Sequence, residues 1–541
     1  MLHIQTAEHM TEVDRLTTET YGIKGLILME NASAGAGREI AQFFGPVDGK
    51  SIRVFCGKGN NGGDGAALAR QLWMRGAKVE VLLFGKREVT RGDARVNFDI
   101  ISRLAETETK LIHFKEIISE TDFKNLIQQN PHVPDLHIDA LFGTGLKRGL
   151  TDIYEPVIAY INECRSRKTH RVPVCSLDLP SGLAADQGNP IGPVVEADLT
   201  VTFTAPKLAN VLPPACDYNG ELRVVAIGSP KSLTRSAGKH KSWLHFVEAH
   251  DVKRMLGVTR RRPGAHKGSV GHVLLAAGAR GKTGAAALAG EAALRAGTGL
   301  VTVALPRSAQ HMLVASCLPE VMTFGAAETE RGIFSESAAV QVLELAAERT
   351  VLAIGPGISS EEEDVRLFVR HMVEKSQKPV VIDADGLNCL SPWPAELKGT
   401  PERPLILTPH PGEMARLTGL STKTLIRNRH DCVRALATEH HLHVVLKGQR
   451  TLIAAPNGEV YINPTGNAGM ATGGSGDVLT GLLAGLLAQS PGSPLESTLI
   501  AVYLHGLAGD KAAAKLGMRS MVASDITAAL SDAFWEMEPS S

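Results

Sequence analysis

The chain has 541 residues, more than one ordinary hydrophobic core accommodates, so two or more domains are expected. Lysine plus arginine and aspartate plus glutamate number 57 each, a balance that argues against nucleic acid or an anionic membrane as partner. The seven cysteines lack metal-ligand spacing, residues 1–15 lack a signal-peptide core, and no stretch reaches the roughly 18 apolar residues of a membrane span, so we expect a cytoplasmic protein.

The N-terminal half alternates short apolar runs with helical stretches. Residues 1–44 are predicted to be helical, and the apolar run 52–56 leads into a glycine-rich loop at 57–65 and a helical segment at 66–75. Strand, glycine loop and helix in this order are typical of a doubly wound α/β fold. Further strands are predicted at 79–84, 136–141, 174–179, 199–203 and 222–227.

The polar segment 229–240 is predicted to be a linker between domains at 1–228 and 241–541. The second half restarts the alternation with a strand at 273–278 and an alanine-rich helix at 284–297. Further strands are predicted at 300–305, 351–354, 379–382, 405–407 and 443–446, and a hairpin is predicted from 451–455 and 459–462.

Three predicted strands of the N-terminal half end in polar clusters, at 60–64, 139–145 and 176–182. Open α/β sheets bind ligands outside the carboxyl ends of their strands, so these clusters predict one site. The oxygen-bearing side chains suit a hard cation or a protic substrate. A single aspartate at a strand end more often forms a turn or caps a helix, and three clusters in one sheet favour a site.

The clearest motif is the glycine-rich run 466–481, in which Asp477 precedes an apolar helical stretch. Glycines before a helix N-terminus expose backbone N–H groups that suit a phosphate chain. A carboxylate there repels phosphate, so we interpret Asp477 as a base that takes a proton from a hydroxyl attacking phosphorus. The alternative is an ordinary helix N-cap, which does not require so many glycines.

Four polar stretches of the C-terminal half are predicted to gather around this motif: 355–357, 383–388, 408–413 and 447–451. Lys447 directly follows a strand, where a lysine counters phosphate charge or is simply solvated. His410 lies between two prolines in a stiff turn that suits a ligand contact. These patterns leave open a small-molecule kinase of the ribokinase kind with an N-terminal ligand-binding module, or a non-catalytic dinucleotide-binding scaffold.

With these residues aligned, nearly the whole chain resembles the bifunctional NAD(P)H-hydrate repair enzymes, in which an NAD(P)HX epimerase is fused to an ADP-dependent NAD(P)HX dehydratase. The resemblance implies a Rossmann-like three-layer N-terminal domain and a ribokinase-like α/β C-terminal domain. It implies epimerisation of R and S NAD(P)HX and dehydration of the S form to NAD(P)H with release of AMP and phosphate. The most specific motifs are 60–65, 178–182, 266–269, 381–388, 408–413 and 471–481.

The family's functional positions can be carried over residue by residue. In the first domain the resemblance implies that the hydrated dinucleotide contacts Asn60, Asn61, Gly62, Gly63, Asp64, Gly143, Thr144, Gly145, Leu146, Lys147, Arg148, Gly149 and Asp178. Asp178 is also expected to move protons, with Asp139 as the less favoured candidate. In the second domain it implies that Ala286, Gly357, His410 and Asp477 bind the S hydrate and that Lys447, Gly448, Gln449, Arg450, Thr451 and Gly476 bind the nucleotide.

The resemblance also implies cofactors and partners. A potassium ion is expected on Asn61, Asp139 and Ser181, Mg²⁺ is expected with the nucleotide, and ADP is the co-substrate. The small-molecule partners are NADHX or NADPHX, and a homo-oligomer is expected. The chain departs from the family at 358–360, where a further glycine is expected, and at Val270, where an aromatic residue is common.

Overall fold

The computed structural model describes residues 1–129, 132–257, 261 and 263–538. The chain divides into two compact units, Leu2–Ser242 and Trp243–Ser541, with Met1 in the latter. Both are α/β units built on parallel sheets, which confirms the predicted fold class. No helix of the described residues is long and apolar enough to cross a membrane.

The first unit is built on a seven-stranded sheet in the order β4-β3-β2-β5-β6-β7-β8, and every neighbouring pair is parallel. The strands of the first unit, of which β2 to β8 form this sheet, are Leu2–His3 (β1), Ser51–Cys56 (β2), Lys78–Phe84 (β3), Ile112–Ile117 (β4), Leu136–Ala140 (β5), Val174–Leu177 (β6), Leu199–Phe203 (β7), Glu221–Val225 (β8), Ser236–Ala237 (β9) and His240–Lys241 (β10). Its helices are Ala7–Glu19 (α1), Gly25–Phe44 (α2), Asn60–Trp73 (α3), Gly92–Thr107 (α4), Glu120–Gln129 (α5), Tyr154–Ser166 (α6), Leu208–Val211 (α7) and Lys231–Arg235 (α8).

The sheet of the first unit is covered on both faces. Successive residues of β2 enter different hydrophobic clusters: Val54 packs with residues of α2, α3 and α4, and Phe55 packs with residues of α5 and α6. Side chains alternate across a strand, so this division gives the three-layer arrangement that was expected. The chain runs outwards from β2 in one direction and from β5 in the other, which places a topological switch point between β2 and β5.

The segment 229–240, predicted to be a linker, has secondary structure of its own. It contains α8, β9 and the first residue of β10, which pairs with β9 in antiparallel fashion, and it lies within the first unit. Leu233 and Ala237 are buried against Val13, and this small apolar cluster is the reason that the segment folds onto the first unit. The helical prediction for residues 1–44 is also refined, since α1 and α2 are separate helices with Gly22 at φ +70° between them.

The second unit is built on a larger sheet in the order β11-β20-β19-β18-β17-β16-β15-β12-β13-β14. Its strands are Leu244–Phe246 (β11), His272–Ala276 (β12), Leu300–Pro306 (β13), Met322–Ala326 (β14), Val351–Ile354 (β15), Val380–Ile382 (β16), Leu405–Leu407 (β17), His443–Leu446 (β18), Leu452–Ala454 (β19) and Val460–Ile462 (β20). Its helices are Ala249–Leu256 (α9), Thr283–Arg295 (α10), Gln310–Val314 (α11), Ala338–Ala347 (α12), Glu363–Lys375 (α13), Ala384–Cys389 (α14), Pro411–Thr418 (α15), Thr422–Arg427 (α16), Arg429–Glu439 (α17), Ser475–Gln489 (α18), Pro494–Leu516 (α19) and Ala523–Met537 (α20).

The strands of this sheet pair in parallel except at β18–β19 and β19–β20, and the pair β19–β20 is the predicted hairpin. The connections reverse direction between β12 and β15, so the loops after these strands open the second switch point. Helix α18 is apolar around most of its circumference and packs closely on α10. The N-terminus of α18 carries the glycine-rich motif that the sequence singled out.

Two candidate active sites

Asp139 is a fully buried polar residue of the first site. It is the penultimate residue of β5 and accepts hydrogen bonds from Ser181 Oγ at 2.6 Å, Ser181 N at 2.8 Å and Ser176 Oγ at 2.8 Å. Burial raises the pKa of Asp139, and the hydrogen bonds from Ser181 offset part of that rise. The structure therefore brings Asp139 and Ser181 together, as predicted, in a fixed buried pair.

Asn61 lies near this pair at the start of α3. Its side-chain nitrogen and oxygen are both buried and have no hydrogen-bond partner in the described chain. A Cβ added to Gly143 would lie 3.3 Å from Asn61 Cγ and 2.9 Å from Asp178 Oδ2, so the loop after β5 packs directly on both side chains. An unpaired buried amide is costly, and a bound ion or substrate atom would supply the missing partner.

Asp178 forms an ion pair that the sequence did not reveal. Lys207 Nζ donates to Asp178 Oδ1, to Thr202 Oγ1 at 2.9 Å and to the Phe203 carbonyl at 3.1 Å. Lys207 is 1% exposed, and Asp178 also accepts from Thr144 N at 3.2 Å. Lys207 follows β7 as the only charged side chain of the run 199–207, a weak signal that could have marked it.

A cavity of about 740 Å³ opens above these residues. Asp64 and Asp14 also line it, and burial followed by the charge of Asp178 raises the pKa of Asp64 well above its ordinary value. The predicted dinucleotide contacts that line the cavity are Asn60, Asn61, Asp64, Gly143, Thr144, Gly145, Leu146 and Asp178.

The remaining predicted contacts of this site lie outside the cavity wall. Lys147, Arg148 and Gly149 are exposed beyond it. A Cβ on Gly62 would stand 1.8 Å from the Gly57 carbonyl oxygen, and a Cβ on Gly63 would stand 2.7 Å from Ala94 Cα in α4. Gly62 therefore allows the close approach of the loop to α3, and Gly63 allows that of α4 to α3.

The second site is organised by the N-terminus of α18. Gly474, at φ +90°, turns the chain into the helix, and Asp477 lies in the first helical turn. A Cβ on Gly473 would have no atom within 4 Å, so the bend is open at this glycine, whereas a Cβ on Gly474 would stand 2.5 Å from Leu288 Cδ1. His505 Nε2 lies 2.9 Å from the Ser475 carbonyl oxygen and ties this turn to α19.

Asp477 is held in a partly enclosed, acidic environment. Burial raises the pKa of Asp477 to about 6, the charges of Asp383 and Asp385 add to the rise, and the Lys447 ammonium opposes it. Lys447 Nζ lies 2.7 Å from Asp383 Oδ1 and would lie 3.4 Å from a Cβ on Gly476. The structure therefore brings Asp477, Gly476 and Lys447 together, and it adds Asp383 of the predicted polar stretch 383–388, a residue to which the sequence assigned no role.

The predicted substrate contacts of this unit lie around the loops at the switch point. Gly357, at φ +67°, packs on the first turn of α10, where its Cβ would stand 2.9 Å from the Lys282 carbonyl oxygen. Ala286 is fully buried in α10. His410 caps α15: its Nδ1 accepts from Gly412 N at 2.9 Å, and about half of its side chain is exposed.

The predicted nucleotide loop 447–451 is mixed in its roles. Gly448 and Gln449 are exposed. Arg450 makes contacts within the protein: it donates to the Pro464 carbonyl at 3.0 Å, and its guanidinium carbon lies 5.4 Å from the Phe246 ring centroid. Thr451 Oγ1 donates to the Gly448 carbonyl at 2.9 Å. Lys447 is the one residue of this loop whose charged group points to Asp477.

Comparison with known proteins identifies both halves. Residues 25–209 match the family described as YjeF-related protein N-terminus, and residues 273–532 match the family described as NAD(P)H-hydrate dehydratase. The chain is 43% identical over 526 residues to the bifunctional NAD(P)H-hydrate repair enzyme of Moorella thermoacetica, covering 97% of this chain and 95% of that one. The chain belongs to the family of bifunctional NAD(P)H-hydrate repair enzymes.

A second relative and a solved structure are also similar to this chain. The Escherichia coli enzyme of the same description is 34% identical over 483 residues, covering 89% of this chain and 85% of its own. A crystal structure of the ADP/ATP-dependent NAD(P)H-hydrate dehydratase from Bacillus subtilis, co-crystallised with ATP and Mg²⁺, is 32% identical over 54% of this chain, with a TM-score of 0.47. The chain is thus a bifunctional enzyme of NAD(P)H-hydrate repair, and the expectation of a repair enzyme is confirmed over the small-molecule kinase.

Proposed function

We propose that the first unit interconverts R and S NADHX and NADPHX, and that the second dehydrates the S form with ADP, releasing AMP and phosphate. The observation that carries the proposal is the position of Asp477 in the first turn of α18, shortly after Gly473, where the glycine bend is open. A carboxylate beside unpaired main-chain N–H groups combines a base with a cradle for the transferring phosphoryl group.

Hydration of the nicotinamide ring leaves a hydroxyl on the carbon next to the ring nitrogen, and hydroxide is a poor leaving group. In the proposed reaction Asp477 takes the hydroxyl proton as the oxygen attacks the terminal phosphorus of ADP. AMP leaves from the terminal phosphorus in this step. The phosphorylated oxygen then departs as phosphate, driven by the lone pair of the ring nitrogen, and loss of a proton from the adjacent ring carbon restores the ring double bond. Mg²⁺ would accompany the nucleotide and neutralise phosphate charge. With a pKa of about 6, Asp477 is mostly ionised at pH 7 and is close to the ideal basicity for this step.

Asp477→Asn tests the base directly. The amide keeps the size of the side chain but accepts no proton, so ADP-dependent NADH release should fall by about 10²-fold or more, typical of a lost general base. The release is measured as absorbance of reduced nicotinamide with S-hydrate and ADP. The matched control is Asp532→Asn, an exposed carboxylate of α20 that should keep wild-type turnover. Near-wild-type turnover of Asp477→Asn would show that the base is a different residue.

In the first unit we assign the cavity to the hydrated dinucleotide and proton transfer to Asp178. The support is the cavity wall, which places Asp178, Asn61 and the loop of Gly143 around one space. Asn61, Asp139 and Ser181 fit a potassium ion, because Asn61 has an unpaired buried amide oxygen and Asp139 supplies a buried negative charge. When bound, the ion would neutralise that charge and tie the two loops together.

We also propose the division of labour 1–228 for the epimerase and 241–541 for the dehydratase. The matched family ranges, 25–209 and 273–532, support that division.

A homo-oligomer in the cytoplasm completes the proposal. Sedimentation equilibrium of the full chain tests the homo-oligomer. A mass of 57.6 kDa at every concentration would mean a monomer.

A further inference from the structure

Asp383 joins two elements of the second site. It follows β16 and is 1% exposed. Its Oδ1 accepts from Lys447 Nζ at 2.7 Å, and its Oδ2 accepts from Thr480 Oγ1 at 2.7 Å. Lys447 follows β18 and Thr480 belongs to α18, so one carboxylate ties a loop to the helix that carries Asp477. Thr480 is three residues after Asp477, on the same side of the helix.

Lys447 is held between two buried carboxylates. Besides Asp383, Glu413 Oε2 lies 3.9 Å from Lys447 Nζ, and the same Glu413 oxygen accepts from His410 N at 2.7 Å. Burial alone would lower the pKa of Lys447, but the charges of Asp383 and Glu413 outweigh it and raise that pKa. The ammonium form is therefore stable at neutral pH. It lies beside Gly476, the residue that precedes Asp477.

This geometry has a chemical consequence. Charge builds up on the oxygens of the phosphoryl group during transfer, and a fixed ammonium beside the main-chain N–H groups stabilises it. A lysine has a long flexible stem, so an unpaired Lys447 would sample many positions, and holding it in one place removes that cost in the transition state.

We propose that Asp383 is a positioning residue of the dehydration reaction, which holds the Lys447 ammonium beside Gly476 and fixes the first turn of α18 through Thr480. The proposal rests on the function proposed above for the second unit. Asp383 itself does not touch the substrate in this assignment, and it acts through Lys447 and α18.

The test uses Asp383→Asn in the full chain, with S-hydrate, ADP and Mg²⁺. The amide still accepts hydrogen bonds but has no charge to hold Lys447. We expect kcat to fall by about 10- to 100-fold, the usual effect of losing a partner that orients a reactive group, with a much smaller change in the KM of the hydrate. Lys447→Met should lose a similar factor, and the double variant should lose little more, because the two residues act as one unit.

A pH profile separates this role from a merely structural one. The charge of Asp383 raises the pKa of Asp477, and the wild-type kcat should fall as pH drops through about 6. In Asp383→Asn this acidic limb should move to lower pH. Thr480→Val is the matched control: it removes one hydrogen bond and leaves the ion pair, so its loss should be smaller and its acidic limb should stay in place.

The outcomes are distinguishable. If the wild-type chain released no NADH with S-hydrate and ADP, the proposed function would fail before the variants were compared. If the wild type was active, an unchanged kcat in Asp383→Asn, an unmoved acidic limb, or fully additive losses with Lys447→Met would overturn the proposal. So would a raised Mg²⁺ requirement, which would make Asp383 a metal ligand. Should Asp383→Asn fail to fold, an unimpaired Lys447→Met would overturn it alone.

Discussion

At the scale of single residues, burial determines how several charged side chains of this chain are paired. The ammonium of Lys207 and the carboxylate of Asp383 are each about 1% exposed, and each is stabilised by a partner of opposite charge. A buried charge without such a partner costs several kcal/mol, so these pairs are required by the fold as well as by the site. His137 is a buried titratable side chain with no such partner.

His137 lies in β5, is fully buried, and has no hydrogen-bond partner at either ring nitrogen in the described residues. Burial, followed by the charge of Arg53, lowers its pKa to about 3. Because the unfolded chain binds the proton at the ordinary pKa of about 6.5, stability is full above pH 6.5 and is lost as pH falls towards 3. Between pH 7.5 and 5 the loss should be about 2 kcal/mol.

His137→Phe should remove this acid sensitivity, since the ring packs edge-on against Phe55 at 5.1 Å and a phenyl group preserves that contact. The measurement is urea unfolding of the first unit at pH 7.5 and 5. His113→Gln, an exposed position of β4, should behave as the wild type does. An identical loss of stability on acidification in His137→Phe would mean that other groups cause it.

At the scale of elements, the position of Asp477, the proposed base, depends on the contact between α10 and α18. Gly481 and Gly485 lie one turn apart on α18. A Cβ on Gly481 would stand 2.0 Å from the Ala289 carbonyl oxygen, and a Cβ on Gly485 would stand 2.6 Å from the Ala293 carbonyl oxygen. The helices can approach this closely only because both positions lack side chains. Glycines at 481 and 485 are therefore a packing requirement, distinct from the phosphate-binding role proposed for the glycines before the helix.

Gly481→Ala should destabilise the second unit by about 1–3 kcal/mol, because the methyl group meets backbone that cannot move without separating the helices. Thermal or urea unfolding of the second unit checks this value. Gly284→Ala is the matched control within α10: no atom lies within 4 Å of its Cβ position, and it should be neutral or stabilise by about 0.5–1 kcal/mol. Equal stability of the two variants would contradict the packing argument.

At the scale of the whole molecule, one chain carries two parallel sheets, each with its own switch point and its own polar cluster. A dehydratase site accepts one configuration at the hydrated carbon, and the R form would accumulate unless it were converted. An epimerase in the same chain delivers all of the hydrate to the second site. This arrangement gives a simple test of the combined function.

A chain carrying Asp178→Asn, given a mixture of R and S hydrates with ADP, should consume the S form at the wild-type rate. The R form should then disappear only at its spontaneous rate of epimerisation, so NADH release should be biphasic. The two hydrates are separated by chromatography during the reaction. Glu155→Gln, an exposed carboxylate of α6, should give complete single-phase conversion. Single-phase conversion by Asp178→Asn would exclude Asp178 from proton transfer.

The parts of the fold that could be predicted from sequence are the buried ones. Strands such as Val351–Ile354 and Leu405–Leu407 are continuous apolar runs, because a parallel sheet covered on both faces buries both sides of each strand. Ile112–Ile117 and Met322–Ala326 were not predicted, since they lie at sheet edges and carry exposed residues that interrupt the pattern. The segment 229–240 looked like a linker because its few apolar residues are too far apart to give a period.

The sequence by itself determined the alternation of strands and helices, the glycine bend before Asp477 and the polar residues at strand ends, because these are local properties of neighbouring residues. Only the tertiary structure decided which charges meet. Asp383 and Thr480 are 97 positions apart, and Asp383 and Lys447 are 64 apart. Partners at such separations are chosen by the order of strands in the sheet and by the burial that makes an unpaired charge costly, and neither is written in any local pattern.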